Sequence, residues 1–427
     1  MKTTRKNVYD MTQDRLEKIF SGFDNVYVSF SGGKDSGVLL NLCIDYIRKH
    51  KLDRKLTVFH MDYEVQYQET IEYVERVFKS NADILNVYRV CVPFKVITCT
   101  SMYQQFWRPW DDACQDIWVR EMPEGCYRKE DFPFYTEDMW DYEFQYKFAH
   151  WLHIQKKAQR TCCLVGIRTQ ESYNRWRTIY SSKNYQKYKG LKWTRRCGEY
   201  IYNAYPIYDW QTTDVWTANG KFKWDYNHLY DLYYQAGVSL EKQRVASPFL
   251  SQAIGSLKLY RAIDPDMWGR MINRVNGVAG IYGGTTALGW QSIKLPKNMT
   301  WADYMKFLLS TLPEETRNNY LEKLSVSVAF WKNKGGCLAN ETIKKLEDAG
   351  ISITVGEKSN YKTSKKPVRM DYLDDIDIPE FKEIPTFKRI CICILKNDHC
   401  CKYMGFSPNK HEKELRESVM KKYQSLF

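Results

Sequence analysis

A glycine-rich loop lies between a predicted buried strand and a predicted helix, and it constrains the fold more than any other feature. The strand is predicted at 25–30, the loop is Ser31-Gly32-Gly33-Lys34-Asp35-Ser36, and the helix runs from 37 to about 49. Glycines let backbone N–H groups close on an anion, while the helix dipole, Lys34 and two hydroxyls add attraction. The sequence therefore predicts an anion-binding loop, with a purely structural glycine turn as the alternative. It is not a Walker A loop, because the G-x-x-x-x-G-K-S/T spacing is absent.

Strands and helices alternate on both sides of this loop. Further strands are predicted at 56–61, 84–91, 161–165 and 200–206. Helices are predicted at 11–20, 69–79, 142–157, around 214–216, and at 227–236. This order predicts an α/β fold with a doubly wound parallel sheet, whose ligands bind at the carboxyl ends of the strands.

The length of 427 residues predicts two or three domains, and we expect two. We expect a nucleotide-binding domain at 1–244, with an insertion at about 93–140 that is rich in Trp, Pro and acidic residues. The rest, 245–427, is expected to be a mainly helical domain with helices at 301–312 and 340–349. Its sequence indicates no chemistry.

Composition narrows the class of protein and its partners. A hydrophobic content of 44% with 27% charged residues is typical of a soluble protein, and no stretch approaches the roughly 20 apolar residues of a membrane span. No secretory signal follows the basic start, so we expect a cytoplasmic protein without a membrane partner. The net charge of +13 favours polyanionic partners, either nucleotides or nucleic acid. The 13 cysteines are expected to be free thiols.

Four segments together resemble the adenine nucleotide alpha-hydrolase superfamily, specifically the phosphoadenosine phosphosulfate reductase and ATP-sulfurylase small-subunit branch. The first segment is the loop at 31–36, which corresponds to that family's pyrophosphate loop. The second, 60–70, resembles its D-T-G and E-T segment, and the third, 166–175, its G-x-R-x-x-E-S-x-x-R segment. The fourth, 205–216, resembles its P-L-x-x-W and D-V-W segment. The resemblance covers about 20–240 and leaves the C-terminal region outside it.

The long C-terminal region and the segment 389–398 resemble a narrower, prophage-associated branch typified by the immunoglobulin-binding regulator A protein. That resemblance implies a ParB-like partner protein.

The family resemblance implies roles for individual residues. Lys34, Arg168 and Arg175 are the expected catalytic residues, because guanidinium and ammonium groups can stabilise charge that grows on a phosphate or sulfate. Asp62 and Asp35 are the expected Mg²⁺ ligands, although a structural aspartate after a strand is the alternative for Asp62. The expected nucleotide contacts are Ser29, Ser31, Gly32, Gly33, Lys34, Asp35, Ser36, Met61, Arg168, Glu171 and Ser172. Glu171 is expected to orient one of the arginines, or else to form a surface ion pair.

The cysteines distinguish between reactions. Family reductases resemble one another in a C-terminal Glu-Cys-Gly-Leu-His segment, which this sequence lacks. Cys162 and Cys163 are adjacent but lie on a predicted strand, and no C-x-x-C follows, so an iron–sulfur cluster is not expected. A C-terminal group leaves metal, redox and structural roles open, and it consists of Cys391, Cys393, His399, Cys400 and Cys401.

The segment 175–196 carries basic and aromatic residues and no acid. Such a segment can neutralise phosphates and stack on bases, which predicts a nucleic-acid partner, while a loop that closes over the nucleotide is the alternative.

The sequence thus predicts an enzyme that binds ATP with Mg²⁺ and directs attack on the α-phosphate, releasing pyrophosphate and leaving an adenylylated acceptor. Two alternatives remain: a phosphoadenosine phosphosulfate reductase, and a nucleotide-responsive regulator that binds DNA or protein.

Overall fold

The protein is described by a computed structural model at residues 6–101, 103–180, 186–245, 247–250, 254–278, 295–357 and 364–406. The chain divides into two compact units that alternate along the sequence. Unit 1 comprises 1–96, 107–248 and 256–274, and unit 2 comprises 97–106, 249–255 and 275–427.

The helices and strands follow one another from the amino end to residue 274. They are α1 Val8–Gly22, β1 Asn25–Ser29, α2 Lys34–Lys49, β2 Leu56–Met61, α3 Gln68–Ser80, β3 Leu85–Val90, β4 Val96–Ile97, β5 Phe106–Trp107, α4 Asp141–Gln155, β6 Thr161–Val165, α5 Tyr173–Tyr180, β7 Thr194–Gly198, β8 Ile201–Ala204, α6 Thr212–Phe222, α7 Leu229–Gln235, α8 Ile254–Ile263 and α9 Pro265–Arg274. The two short strands β4 and β5 pair with each other.

Unit 1 is built on a six-stranded sheet in the order β3-β2-β1-β6-β8-β7. Five strands are parallel, and β7 runs antiparallel to β8 at the edge. The strands β1, β2 and β6 are buried along nearly their whole length, as expected for strands that are covered on both faces. The predicted α/β fold with a doubly wound parallel sheet is confirmed, and the antiparallel edge strand is an addition to it.

Alternate residues of β1 show how both faces are covered. Val26 and Val28 are buried in a core shared with α1, α2 and α6. Tyr27 points to the opposite face, where its ring lies 6.0 Å from that of Phe148 in α4. Phe148 also stacks on Phe59 of β2, at 4.0 Å between ring centroids.

The order of the strands places a topological switch point between β1 and β6. From β1 the chain adds β2 and then β3 on one side, whereas β6 pairs with the other side of β1. Loops that leave adjacent strands in opposite directions open a crevice at their carboxyl ends, which is the usual ligand site of such sheets. The loop at 31–36 and the segment after Val165 both start at this crevice.

The units do not follow the expected division at residue 244. Helices α8 and α9 contribute to unit 1, because Tyr260 stacks on Tyr67 with 3.6 Å between centroids. The Asp264 carboxylate also accepts a hydrogen bond from the backbone N–H of Gln68, at 3.0 Å.

Unit 2 is mainly helical, as predicted, and adds a small antiparallel sheet. Its elements are α10 Trp301–Ser310, α11 Glu314–Asn333, β9 Gly336–Leu338, α12 Asn340–Asp348, β10 Ile353–Val355, β11 Lys366–Met370 and α13 Phe387–Leu395. The three strands lie in the order β10-β11-β9. Two hydrophobic cores stabilise the unit, one around α10 and α13 and one around β11.

Candidate active site

The loop at 31–36 is organised by its own hydroxyl groups. Gly32 has a φ of 75°, a left-handed conformation that glycine adopts without strain. The Ser31 N–H donates to the Ser36 hydroxyl at 3.2 Å, and that hydroxyl donates to the Gly33 carbonyl at 3.0 Å. The loop therefore enters α2 in a fixed conformation with Gly33 as the residue before its first turn.

Residues distant in the sequence hold the loop from outside. The Lys34 N–H donates to the Tyr230 hydroxyl at 3.0 Å. The side-chain amide of Asn227 donates to the Gly32 carbonyl at 2.9 Å and to the Thr70 hydroxyl at 2.8 Å. Sequence reasoning missed both contacts, because Asn227 and Tyr230 appeared only as parts of a predicted helix at 227–236.

The segment after β6 approaches the loop closely. A Cβ atom on Gly166 would lie 2.9 Å from backbone atoms of Asp35 and Ser36, so only glycine fits without displacement. Two residues later, the Arg168 side chain is 2% exposed. Its Nε donates to an Asp35 carboxylate oxygen at 2.5 Å, and its Nη1 donates to the Thr212 hydroxyl at 3.2 Å.

Four cationic side chains converge on the loop. The Lys34 Nζ lies 3.3 Å from the second Asp35 oxygen and donates to the Gln243 carbonyl at 3.1 Å. Arg175 forms an ion pair with Glu171, whose backbone carbonyl accepts a hydrogen bond from Arg244 at 3.0 Å. Arg168 completes the set. Sequence reasoning missed Arg244, which lies beyond the segments that carry the family resemblance.

The electrostatics of the loop show an excess of positive charge. Burial lowers the pKa of Lys34, and repulsion from Arg168 and Arg244 lowers it further, while Asp35 opposes both effects. The pKa of Arg175 is also lowered, first by burial and then by repulsion from Arg244 and Arg168. A bound polyanion would relieve this repulsion, so the arrangement suits phosphate groups.

The other expected contacts lie at the same edge of the sheet. Ser29 and Met61 are the last residues of β1 and β2. Ser172 precedes α5, and its hydroxyl accepts a hydrogen bond from the Arg175 N–H at 3.3 Å, which caps the helix. Their contacts with adenine or phosphate remain predictions.

Asp62 lies in a separate buried cluster. Arg89 lies 3.2 Å from one of its oxygens, and Arg120 pairs with the other, which also accepts a hydrogen bond from the Glu64 N–H at 3.0 Å. Burial alone would raise the pKa of Asp62, but the two guanidinium groups lower it to about 2.

A Mg²⁺ ion held by Asp62 and Asp35 does not fit these surroundings. Both oxygens of each carboxylate already pair with guanidinium or ammonium groups. Mg²⁺ needs near-octahedral oxygen ligands, and four cations at the two carboxylates oppose it.

The cysteines in the described ranges form no group that could hold a metal ion. One half-buried thiol, Cys126, has a pKa that is lowered by its hydrogen bond with Cys91. Cys162 and Cys163 are buried on β6, and burial raises the pKa of Cys163 to about 12 and that of Cys162 well above its usual range. The Cys391 thiol donates to the Trp301 carbonyl at 3.5 Å. Within the described residues, no three His, Cys, Asp or Glu side chains form a group that could hold a metal ion.

The basic aromatic segment 175–196 divides into two parts. Tyr188 and Trp193 are buried in the core of unit 1, whereas Trp176 and Tyr180 are exposed on α5. Lys183 and Tyr185 lie outside the described residues.

None of the helices that the structure describes is long and apolar enough to cross a membrane.

Comparisons with known proteins match two families along the chain. Residues 25–237 match the phosphoadenosine phosphosulfate reductase domain, and residues 237–415 match a domain of unknown function, DUF3440. The chain is 32% identical over 412 residues to the uncharacterized protein YbdN of Escherichia coli (strain K12), covering 95% of this chain and 91% of that protein.

Solved structures with some similarity include a phosphoadenylyl-sulfate reductase and an FMN adenylyltransferase. The reductase, from Candida auris in a phosphate complex, shows 15% identity and a TM-score of 0.31, covering 58% of this chain and 97% of its own. The adenylyltransferase, from Candida glabrata, shows 15% identity and a TM-score of 0.32, covering 52% and 58%.

The immunoglobulin-binding regulator A branch and its ParB-like partner stay predictions. The matches to YbdN and to the reductase domain carry the broader assignment: the chain belongs to the phosphoadenosine phosphosulfate reductase family.

Proposed function

We propose that this protein is an enzyme that binds ATP at the loop 31–36 and cleaves it at the α-phosphate. Pyrophosphate leaves, and the adenylyl group passes to an acceptor. The observation that carries the proposal is the convergence of four cations on a glycine-rich loop at the switch point of the sheet: Lys34, Arg168, Arg175 and Arg244.

The arrangement supports a division of roles among these cations. Lys34 lies at the start of α2, where its positive charge and the helix dipole both favour the leaving pyrophosphate, and we assign it that role. Arg168 is buried and engaged by Asp35 and Thr212, which suits a positioning residue rather than a direct phosphate ligand. We assign Arg175 and Arg244 to the stabilisation of charge on the α-phosphate.

Mg²⁺ enters the proposal only as the ion that accompanies ATP in solution, because the carboxylates of Asp62 and Asp35 are engaged by cations.

The missing family thiol segment favours ATP over reduction of phosphoadenosine phosphosulfate. Reduction needs an accessible thiolate to attack the sulfur, and the Glu-Cys-Gly-Leu-His segment is absent from the whole sequence. The neighbouring Cys162 and Cys163 are buried with raised pKa values, so they remain protonated and unreactive at neutral pH.

Calorimetry and a turnover assay test the proposal. ATP should bind more tightly than phosphoadenosine phosphosulfate, and AMP or pyrophosphate should form when single-stranded oligonucleotides or thiol acceptors are added. Lys34→Ala should weaken ATP binding at least about tenfold, since it removes a charged hydrogen bond. Lys79→Ala, which changes an exposed lysine in the last turn of α3, is the matched control.

Two results would replace the proposal. Tighter binding of phosphoadenosine phosphosulfate, with sulfite released in the presence of a dithiol, would establish the reductase. Tight ATP binding without AMP or pyrophosphate for any acceptor would favour the nucleotide-responsive regulator.

A further inference from the structure

Three aromatic side chains form an exposed row on α5, which we call the aromatic ladder: Tyr173, Trp176 and Tyr180. Their side chains are 71%, 44% and 46% exposed. The Tyr173 and Trp176 rings are 5.9 Å apart at an interplanar angle of 13°, and the Trp176 and Tyr180 rings are 5.0 Å apart at 29°. Their spacing of three and four residues keeps the rings on one side of the helix.

Other aromatic residues of the segment 175–196 are buried, unlike those of the ladder. Tyr188 and Trp193, which follow in the same aromatic-rich sequence, are buried and fix the segment to the core of unit 1. The ladder residues take no part in that core, although large aromatic side chains normally gain stability from burial. A contiguous row of exposed rings marks a binding surface more often than a scattered aromatic does.

All charged residues in the sequence segment that contains the ladder are basic. From 173 to 198 the sequence contains no acidic residue. The Lys192 Nζ lies 5.7 Å from the centroid of the Tyr180 ring, and Lys189 and Arg196 are exposed. Such a surface attracts a polyanion and repels a basic peptide.

The ladder also adjoins the candidate active site. Arg175, on the same helix, pairs with Glu171, and Asp35 in the loop influences its pKa. The ladder and this candidate-site residue thus share α5.

We propose that the aromatic ladder is a base-stacking platform for single-stranded nucleic acid. Aromatic rings provide faces for successive bases whatever their sequence, and the neighbouring lysines and arginines neutralise phosphates. The binding itself does not depend on the proposed function. The further role of the strand as the adenylyl acceptor does rest on it.

Fluorescence anisotropy with labelled 12-nucleotide oligo(dT) and oligo(U) tests the binding. The double variant Trp176→Ala with Tyr180→Ala should weaken affinity at least about tenfold, because stacking contributes strongly for each base. Trp176→Phe keeps an aromatic face and should stay within about threefold of the wild type. The matched control is Tyr234→Ala, which removes a tyrosine that is 69% exposed on α7 and should leave the affinity unchanged. The two probes distinguish DNA from RNA.

Salt and nucleotide titrations separate the two proposals. Affinity for the oligonucleotide should fall steeply with salt, and Lys192→Glu with Arg196→Glu should flatten that dependence. Lys34→Ala should weaken ATP binding at least about tenfold yet keep oligonucleotide affinity, so a defect in the nucleotide site does not affect the test of the ladder. The platform is overturned if the ladder double variant binds both probes like Tyr234→Ala, or if neither probe binds at low salt. In those cases the ladder would be a surface for protein.

Discussion

A side chain at position 166 would collide with the anion loop. The nearest atoms belong to the backbone of Asp35 and Ser36, at 2.9 Å, and backbone cannot move aside as the end of a flexible side chain can. Gly166→Ala should therefore shift the loop, lower the free energy of unfolding by about 1–3 kcal/mol and weaken ATP binding. Thermal unfolding and calorimetry measure the two effects.

Gly220→Ala is the control for this substitution. Gly220 lies within α6, and a Cβ there meets nothing within 4 Å. Alanine at this site should leave ATP binding unchanged and stabilise the protein by about 0.5–1 kcal/mol. Equal effects of both substitutions would show that close packing at Gly166 is unimportant.

His60 should make the protein sensitive to mild acid. Burial lowers its pKa to about 4, despite the opposing Asp62 charge, and its Nδ1 lies 2.8 Å from the Phe30 carbonyl oxygen. The unfolded chain takes up this proton near pH 6.5, whereas the folded chain excludes it until about pH 4. Its contribution is therefore complete above pH 6.5 and is lost as pH falls towards 4, by roughly 3 kcal/mol.

Urea unfolding between pH 7 and 4.5 measures this dependence. His60→Asn should make the free energy of unfolding depend less steeply on pH. The decrease should correspond to about one fewer proton taken up on unfolding. If the unfolding free energy of His60→Asn depended on pH as steeply as that of the wild type, other groups would cause the acid sensitivity.

At the scale of elements, one carboxylate joins three parts of unit 1. Glu64 follows β2 in a left-handed conformation, with a φ of 65°. Its carboxylate accepts two hydrogen bonds from Arg274 at the end of α9, at 2.8 and 3.0 Å. It also accepts from the backbone N–H groups of Trp110 and Val119 in the insertion, at 2.7 and 3.1 Å.

Breaking this junction should loosen α9. Glu64→Gln leaves the buried Arg274 guanidinium without its charge partner, which we expect to cost about 3–5 kcal/mol of unfolding free energy. The double variant with Arg274→Met should recover part of the loss, because it removes the unpaired charge. Glu72→Gln, on the exposed face of α3, is the control. A loss no larger than that of the control would mean that α9 is held by its apolar contacts alone.

The elements that could be predicted are those with a local signal. The strands β1, β2 and β6 are short, nearly continuous apolar runs, and the glycine-rich loop between β1 and α2 predicts an anion site. Strand β7 was missed, because Thr194–Gly198 is polar and basic and pairs only through its hairpin with β8. No local sequence pattern indicates that Arg244 lies near the loop in the folded chain.

The same limit applied to Asp62. Its position directly after a strand is one that metal-binding carboxylates also occupy, so the sequence alone could not exclude that role. Its neutralisation depends on Arg89 from β3 and Arg120 from the insertion, which only the folded chain brings to it.

At the scale of the whole molecule, we expect ATP to stabilise unit 1 and not unit 2. The loop and its four cations all belong to unit 1, which has its own hydrophobic core, while α13 belongs to the core of unit 2. A ligand that binds the folded site stabilises the unit that contains it by mass action.

Hydrogen exchange with saturating ATP should therefore slow in peptides that cover 31–40 and 166–175. We expect no comparable change in peptides that cover α13, because its amides are protected by the separate core around α10. Lys34→Ala should reduce the protection in unit 1 at the same ATP concentration, while Lys79→Ala should preserve it. Equal protection of α13 in the wild type would show that the nucleotide response extends to unit 2, and the assignment of the site to unit 1 alone would then be wrong.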